Sequence, residues 1–168
     1  MYLLGGIDNS TTYMNDVWSS SDGKTWTQIT DNATWPKRYG HLATAFNKKI
    51  WVMGGNNGST IKDVWYSSND NASSWTQAST SGTMWSAGSG TPASVFDGEL
   101  WVAGGNGGSG TLNSWSSSDG SAWTKVAVKD NETSRSGMES GVMGNRLYLI
   151  GGYVGNNTYK DDVLKYGP

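Results

Sequence analysis

The sequence predicts an all-β propeller fold, with about three and a half four-stranded antiparallel blades in its 168 residues. Three observations predict it. A Gly-Gly doublet closes an apolar run four times, at Gly5-Gly6, Gly54-Gly55, Gly104-Gly105 and Gly151-Gly152, a period of about 50 residues. An Asp-Val-Trp type segment follows each doublet after a loop rich in Asn and Gly. No window sustains a helical period, and a repeat of this length built from short strands fits a propeller better than a sandwich or a solenoid.

With the strands of a unit named a to d, the doublet closes strand b. The b strands are Met1–Leu4, Ile50–Met53, Leu100–Ala103 and Leu147–Ile150. Strand c carries Asp16-Val17-Trp18, Asp63-Val64-Trp65, Asn113-Ser114-Trp115 and Asp162-Val163-Leu164. Strand d follows at Trp26, Trp75 and Trp123, and Asp22-Gly23 and Asp119-Gly120 between c and d suit the positive φ of two-residue hairpins. Strand a turns into b at Asn47-Lys48, Asp97-Gly98 and Gly144-Asn145. The order is b, c, d, then a to d twice, then a, b, c, which makes fourteen strands in units 1–34, 35–84, 85–131 and 132–168. Fewer than four complete blades implies part of a larger ring, or association of chains, or a four-blade ring with two incomplete blades; the first is favoured because an isolated run of repeats leaves edges and apolar faces uncovered.

Composition narrows function. Only 15% of residues are charged, against 24 glycines and 10 tryptophans, so the chain has the aromatic area to order itself. A net charge of −2 provides no footprint for nucleic acid. The absence of cysteine removes disulfides and thiolate metal sites. No apolar run approaches the length of a membrane span, and the first residues do not have the pattern of a signal peptide.

The doublets, the later aromatic pairs and the segment Trp35-Pro36-Lys37-Arg38-Tyr39-Gly40-His41 ahead of strand a together resemble kelch repeats, in the variety common in bacterial secreted and surface proteins. The resemblance covers essentially the whole chain. It implies a rigid scaffold whose loops carry specificity, and an extracellular or surface location. It does not fix an activity, since such propellers host binding proteins, an oxidase and an epimerase alike.

Eight tryptophans recur at fixed repeat positions, as packing residues between blades would: Trp18, Trp26, Trp51, Trp65, Trp75, Trp101, Trp115 and Trp123. Trp35 and Trp85 align in the d–a loop, where an exposed indole could stack on a ligand. Arg38 and Arg135 align with each other and with Gly88, next to Ser89. The resemblance puts this position near the axial channel, where an arginine could clamp a carboxylate or bond loop carbonyls of the next blade. His41, the one histidine, suits a structural hydrogen bond better than a metal site. Loop residues Asn56, Asn106 and Tyr153 complete the ligand-binding candidates; asparagine suits hydroxyl-rich ligands and plain turns alike. Ser20–Trp26 resembles the sialidase Asp-box but lacks the residue between Asp and Gly, and reads as a turn. Asn-x-Ser/Thr at Asn9, Asn32, Asn57, Asn71, Asn131 and Asn156 matters only in a glycosylating pathway.

The leading expectation is a non-enzymatic module that binds a glycan or a protein and needs no cofactor. A copper radical oxidase is excluded by the missing cysteine and the single histidine. An epimerase of the sialate type is the enzymatic alternative, resting on arginine and histidine near the channel. A structural spacer in a surface protein or adhesin is the third.

Overall fold

The computed structural model describes residues 1–82, 90–104, 111–127 and 132–167, and everything below concerns these. They contain no helix, and the strands form four separate sheets. The first sheet is β1 (Tyr2–Ile7), β2 (Tyr13–Ser19) and β3 (Thr27–Thr30). The second is the complete blade β4 (Leu42–Phe46), β5 (Lys49–Met53), β6 (Val64–Ser67) and β7 (Trp75–Gln77). The third orders β9 (Ala93–Phe96), β10 (Glu99–Ala103), β11 (Asn113–Ser117) and β12 (Ala122–Ala127) from inside outwards. The fourth is β13 (Glu139–Met143), β14 (Arg146–Gly155) and β15 (Thr158–Tyr166).

All fourteen expected strands are present, in the expected order. One more was not anticipated: the two-residue β8 (Ser81–Gly82) leaves the second blade and pairs in parallel with the outer edge of the third, Ser81 opposite Ala122. Its sequence has no strand signature, because the pairing uses only main chain, with the Ser81 amide donating to the Ser121 carbonyl at 2.9 Å.

The a–b hairpins close as expected. Asn47 and Lys48 have φ of 48° and 59°, and Asp97 has 51°, the mirror-image turn that matches strand twist. The c–d connection is a correction. It is no two-residue turn: β2 ends at Ser19 and β3 begins at Thr27. The Asp22 carboxylate organises this loop by accepting the Lys24 and Thr25 amides, both at 2.8 Å, while Ser20 Oγ accepts the Gly23 amide at 2.8 Å. Asp119 and Ser117 repeat the arrangement in the third blade. Aspartate competes for local amides here and does not itself need positive φ.

The core lies between blades. Alternate residues of one strand face opposite neighbours, so Trp51 and Met53 of β5 pack with Leu100, Val102 and Trp123 of the third blade, while Val52 packs with Val17 and Trp35 towards the first. A third cluster joins Ala103 and Leu112 to Met138 and Leu149. The terminal blades each show a bare apolar face. Leu3 is 56% exposed where the aligned Val52 is fully buried, and Val163 is 56% exposed where Val64 is fully buried. The described residues therefore form an open arc.

Candidate functional site

The inner strands β4, β9 and β13 start at one end of the arc, each after a glycine: Gly40-His41-Leu42, Gly90-Thr91-Pro92 and Gly137-Met138-Glu139. The three glycines have φ of 59°, 80° and 62°. They also form a ladder across the blades, with Gly137 N donating to Gly90 O at 2.6 Å and Gly90 N donating to Gly40 O at 3.3 Å. A Cβ on Gly90 would lie 3.1 Å from the Gly137 amide nitrogen, a tight approach at a φ of 80° that favours glycine. Below it opens a concavity of about 310 Å³, lined by these segments together with Ala93 and Ser140. Ser94 and Ser140 bond across the inner strands at 2.7 Å.

In the second and fourth blades, residues that follow strand b bond the segments that lead into Gly40 and Gly137. Tyr39 and Asn56 exchange main-chain bonds at 3.0 Å, and Ser136 and Tyr153 do the same at 2.8 and 3.0 Å. Two aromatic pairs result on this face. Tyr13 stacks on Tyr39 with centroids 5.5 Å apart, and Tyr153 meets Tyr159 at 5.1 Å.

The expected site residues divide accordingly. Tyr153 and Asn56 do lie on this face. Asn56 Oδ1 accepts the Gly58 amide at 2.8 Å, however, and works as a turn residue. Trp35 is not an exposed loop indole: it is completely buried, edge-on to Trp75 at 5.9 Å, because the face of the second blade that looks towards the first needs a large apolar side chain there. Arg38 and Arg135 are completely buried too. Arg38 Nη2 holds Asp63 Oδ2 at 2.9 Å while Nη1 reaches Asp63 Oδ1 and, at 2.8 Å, the Gly54 carbonyl. Arg135 grips Asp162 in the same way and adds Glu132 at 2.8 Å. The bonds from Asp162 foremost raise the Arg135 pKa, and the same contact lowers that of Asp162. Both arginines thus join two strands of their own blade, and neither offers its charge to the channel. Trp85, Ser89 and Asn106 lie outside the described residues.

His41 lines the concavity, and its ring packs against Trp35 at 5.9 Å. Burial foremost, and Arg38 next, lower its pKa from 6.5 to about 4 against a raising hydrogen bond with the Leu4 backbone. The ring is neutral at pH 7, with Nδ1 buried and unpartnered. Of the structural tryptophans, Trp51, Trp75, Trp115 and Trp123 are buried as expected, whereas Trp26 is 37% exposed.

Sequence reasoning missed the glycine ladder and Glu139. The signal was present in the repeat alignment, where Gly40, Gly90 and Gly137 occupy one position. Among the described residues Glu139 is the one carboxylate lining the concavity, and His41, which also lines it, is uncharged. The lining combines glycine backbone and the hydroxyls of Thr91 and Ser140 with one acid and the apolar side chains of Leu42, Pro92 and Met138.

The KLHDC2/KLHL20/DRC7 Kelch-repeats domain model matches residues 1–152. The chain belongs to the kelch-repeat family. No curated protein matches it. Kelch repeats generally mediate protein binding, and in this kelch domain the two tyrosine pairs stand at the main-chain bridges Tyr39–Asn56 and Ser136–Tyr153.

Proposed function

We propose that the chain is a protein-binding module that holds its ligand on the face made by the b–c loops and the segments entering the inner strands. One observation carries this reading: the two tyrosine pairs, Tyr13–Tyr39 and Tyr153–Tyr159, stand at the segments that lead into Gly40 and Gly137, which line a concavity of mixed apolar and hydroxyl-bearing side chains. Tyrosine brings large contact area and a polar tip at small entropic cost, which is why it is enriched at interfaces. Tyr159 is 75% exposed and costs nothing to uncover. Glycan recognition draws less support, since the Asn56 side chain that motivated it is engaged in its own turn. An epimerase draws less still, since the arginines it would use are bound to Asp63 and Asp162.

The test is to pan a displayed peptide library against the chain and challenge the binders with variants. Tyr159→Ala and Tyr39→Ala should each weaken binding about tenfold or more, while Lys24→Ala on the c–d loop at the opposite end should not. Binders indifferent to both tyrosines would refute the site.

A further inference from the structure

The loop that follows β5 in the second blade carries Asn56-Asn57-Gly58, and Asn57 and Gly58 are both exposed. Of the asparagines among the described residues, Asn57 alone is followed by glycine; the others precede Ser, Asp, Ala, Lys, Asn, Arg or Thr. The difference is chemical. A main-chain nitrogen can attack the side-chain carbonyl of the asparagine before it, and glycine, having no Cβ, lets the two groups approach most freely. The surroundings leave room as well: Gly58 has a φ of 102°, and a Cβ built on it would meet nothing within 4 Å.

The reaction needs only water. Gly58 N bonds to Asn57 Cγ, the Cγ–Nδ2 bond breaks, and the proton that Gly58 N gives up ends on the departing ammonia. The five-membered imide so formed takes up one water and opens at either of its two carbonyls. One opening leaves an ordinary aspartyl residue at position 57. The other leaves an isoaspartyl link, in which the former side-chain carbonyl joins the main chain and lengthens it by one carbon.

The loop restrains the attacking nitrogen. Gly58 N donates to Asn56 Oδ1 at 2.8 Å. Attack on Asn57 Cγ requires this bond to break, because the nitrogen must lose the very proton that it donates. Asn57 N donates to Ser59 O at 3.2 Å, and Asn56 and Thr60 form a bridge, so the rest of the loop is pinned around the same nitrogen.

We propose that Asn57 is a site of spontaneous deamidation and that Asn56 is the positioning residue that sets its rate, by holding the Gly58 amide. The change reaches beyond the loop tip. Asn56 exchanges main-chain bonds with Tyr39 at 3.0 Å, so deamidation places a new negative charge next to that bridge, and the isoaspartyl form also lengthens the main chain between Asn56 and Gly58. Its effect on a bound partner rests on the binding face proposed above; the modification itself does not.

The whole folded chain is incubated in mildly alkaline buffer at body temperature, and conversion is followed by tryptic peptide mapping with mass spectrometry. Cleavage after Lys49 and Lys62 isolates Asn57 from Asn106, which is also followed by glycine and lies outside the described residues. Asn57 should convert sooner than Asn9 or Asn71, giving two isomeric acid products. Asn56→Ala should speed the conversion about fivefold, the factor that one hydrogen bond of ordinary net strength represents. Asn56→Asp, which keeps an oxygen for the Gly58 amide, should retain the slow rate. Asn57→Gln should abolish the products, since its longer side chain would have to close a larger ring. Circular dichroism checks that each variant is folded. A rate unchanged by Asn56→Ala, an Asn56→Asp chain that converts as fast as Asn56→Ala, or conversion at Asn57 no sooner than at Asn9 and Asn71 would each overturn the proposal.

Discussion

Arg38 and Asp63, 25 residues apart in sequence, meet in a two-pronged ion pair in which the guanidinium is wholly buried and the carboxylate 16% exposed. The guanidinium also binds the carbonyls of Pro36 and Gly54 at 2.9 and 2.8 Å, so one side chain joins the segment entering strand a to the end of b and the start of c. Removing one partner leaves the other buried and unpaired. Arg38→Met should therefore lose about 3–5 kcal/mol in urea unfolding. Arg38→Met with Asp63→Asn should lose clearly less than Arg38→Met alone, in line with the third repeat, where both charges are absent. Additive losses would contradict the pairing.

Trp26 and Trp35 should behave oppositely, each against its sequence expectation. Trp35 is completely buried between the first two blades, and Trp35→Ala should cost about 3–5 kcal/mol. Trp26, 37% exposed, should cost about 1 kcal/mol or less when replaced by alanine. Denaturant midpoints of the two variants decide it.

The single histidine makes a pH test clean. His41 has its pKa lowered from 6.5 to about 4, burial being the chief cause. Between those values the unfolded chain binds more protons than the folded one. Its contribution to stability is therefore complete above pH 6.5 and declines as pH falls towards 4, below which it levels off. The one imidazole resonance in a proton spectrum should titrate near 4 in the folded chain, and His41→Gln should flatten the stability profile between pH 4 and 6.5.

Asp22 titrates in a different window. Amide bonds from Thr25 and Lys24 lead the causes that lower its pKa from 3.8 to about 2. Its contribution is present above pH 3.8 and is lost as pH falls through 2. Carbonyl chemical shifts of Asp22 between pH 5 and 1.5 should show this midpoint, and Ser20→Ala should move it upwards.

Gly120 and Gly98 share a φ near 75° but not their surroundings. A Cβ on Gly120 would sit 2.1 Å from the Trp51 ring of the neighbouring blade, while one on Gly98 would meet nothing within 4 Å. Gly98→Ala should cost about 1–2 kcal/mol for backbone strain alone. Gly120→Ala should cost about 1–3 kcal/mol more, from overpacking, as thermal denaturation of the pair would show.

The strands were legible because each obeys a local rule four times over: an apolar run, a doublet, an Asp-Val-Trp segment. The inner glycines were legible in principle, as three residues at one repeat position. Trp35 was not, since its burial depends on the first blade packing against it, and a loop sequence does not announce its neighbour. Arg38 was placed near the channel because its partner is remote in sequence. The paired change from Arg and Asp to Gly and Asn between repeats was the available sign of contact. β8 had no side-chain signature at all.

That short strand bears on how the chain folds as it leaves the ribosome. Every other strand pairs with a neighbour close by in sequence, so each sheet can form as soon as its own residues have emerged. Ser81 and Gly82 must wait for Ala122 and Trp123. Until then the outer end of the second blade is a trailing tether, and translation of about 40 further residues separates its synthesis from its pairing. β8 is thus the one strand whose completion reports that the third blade has been made.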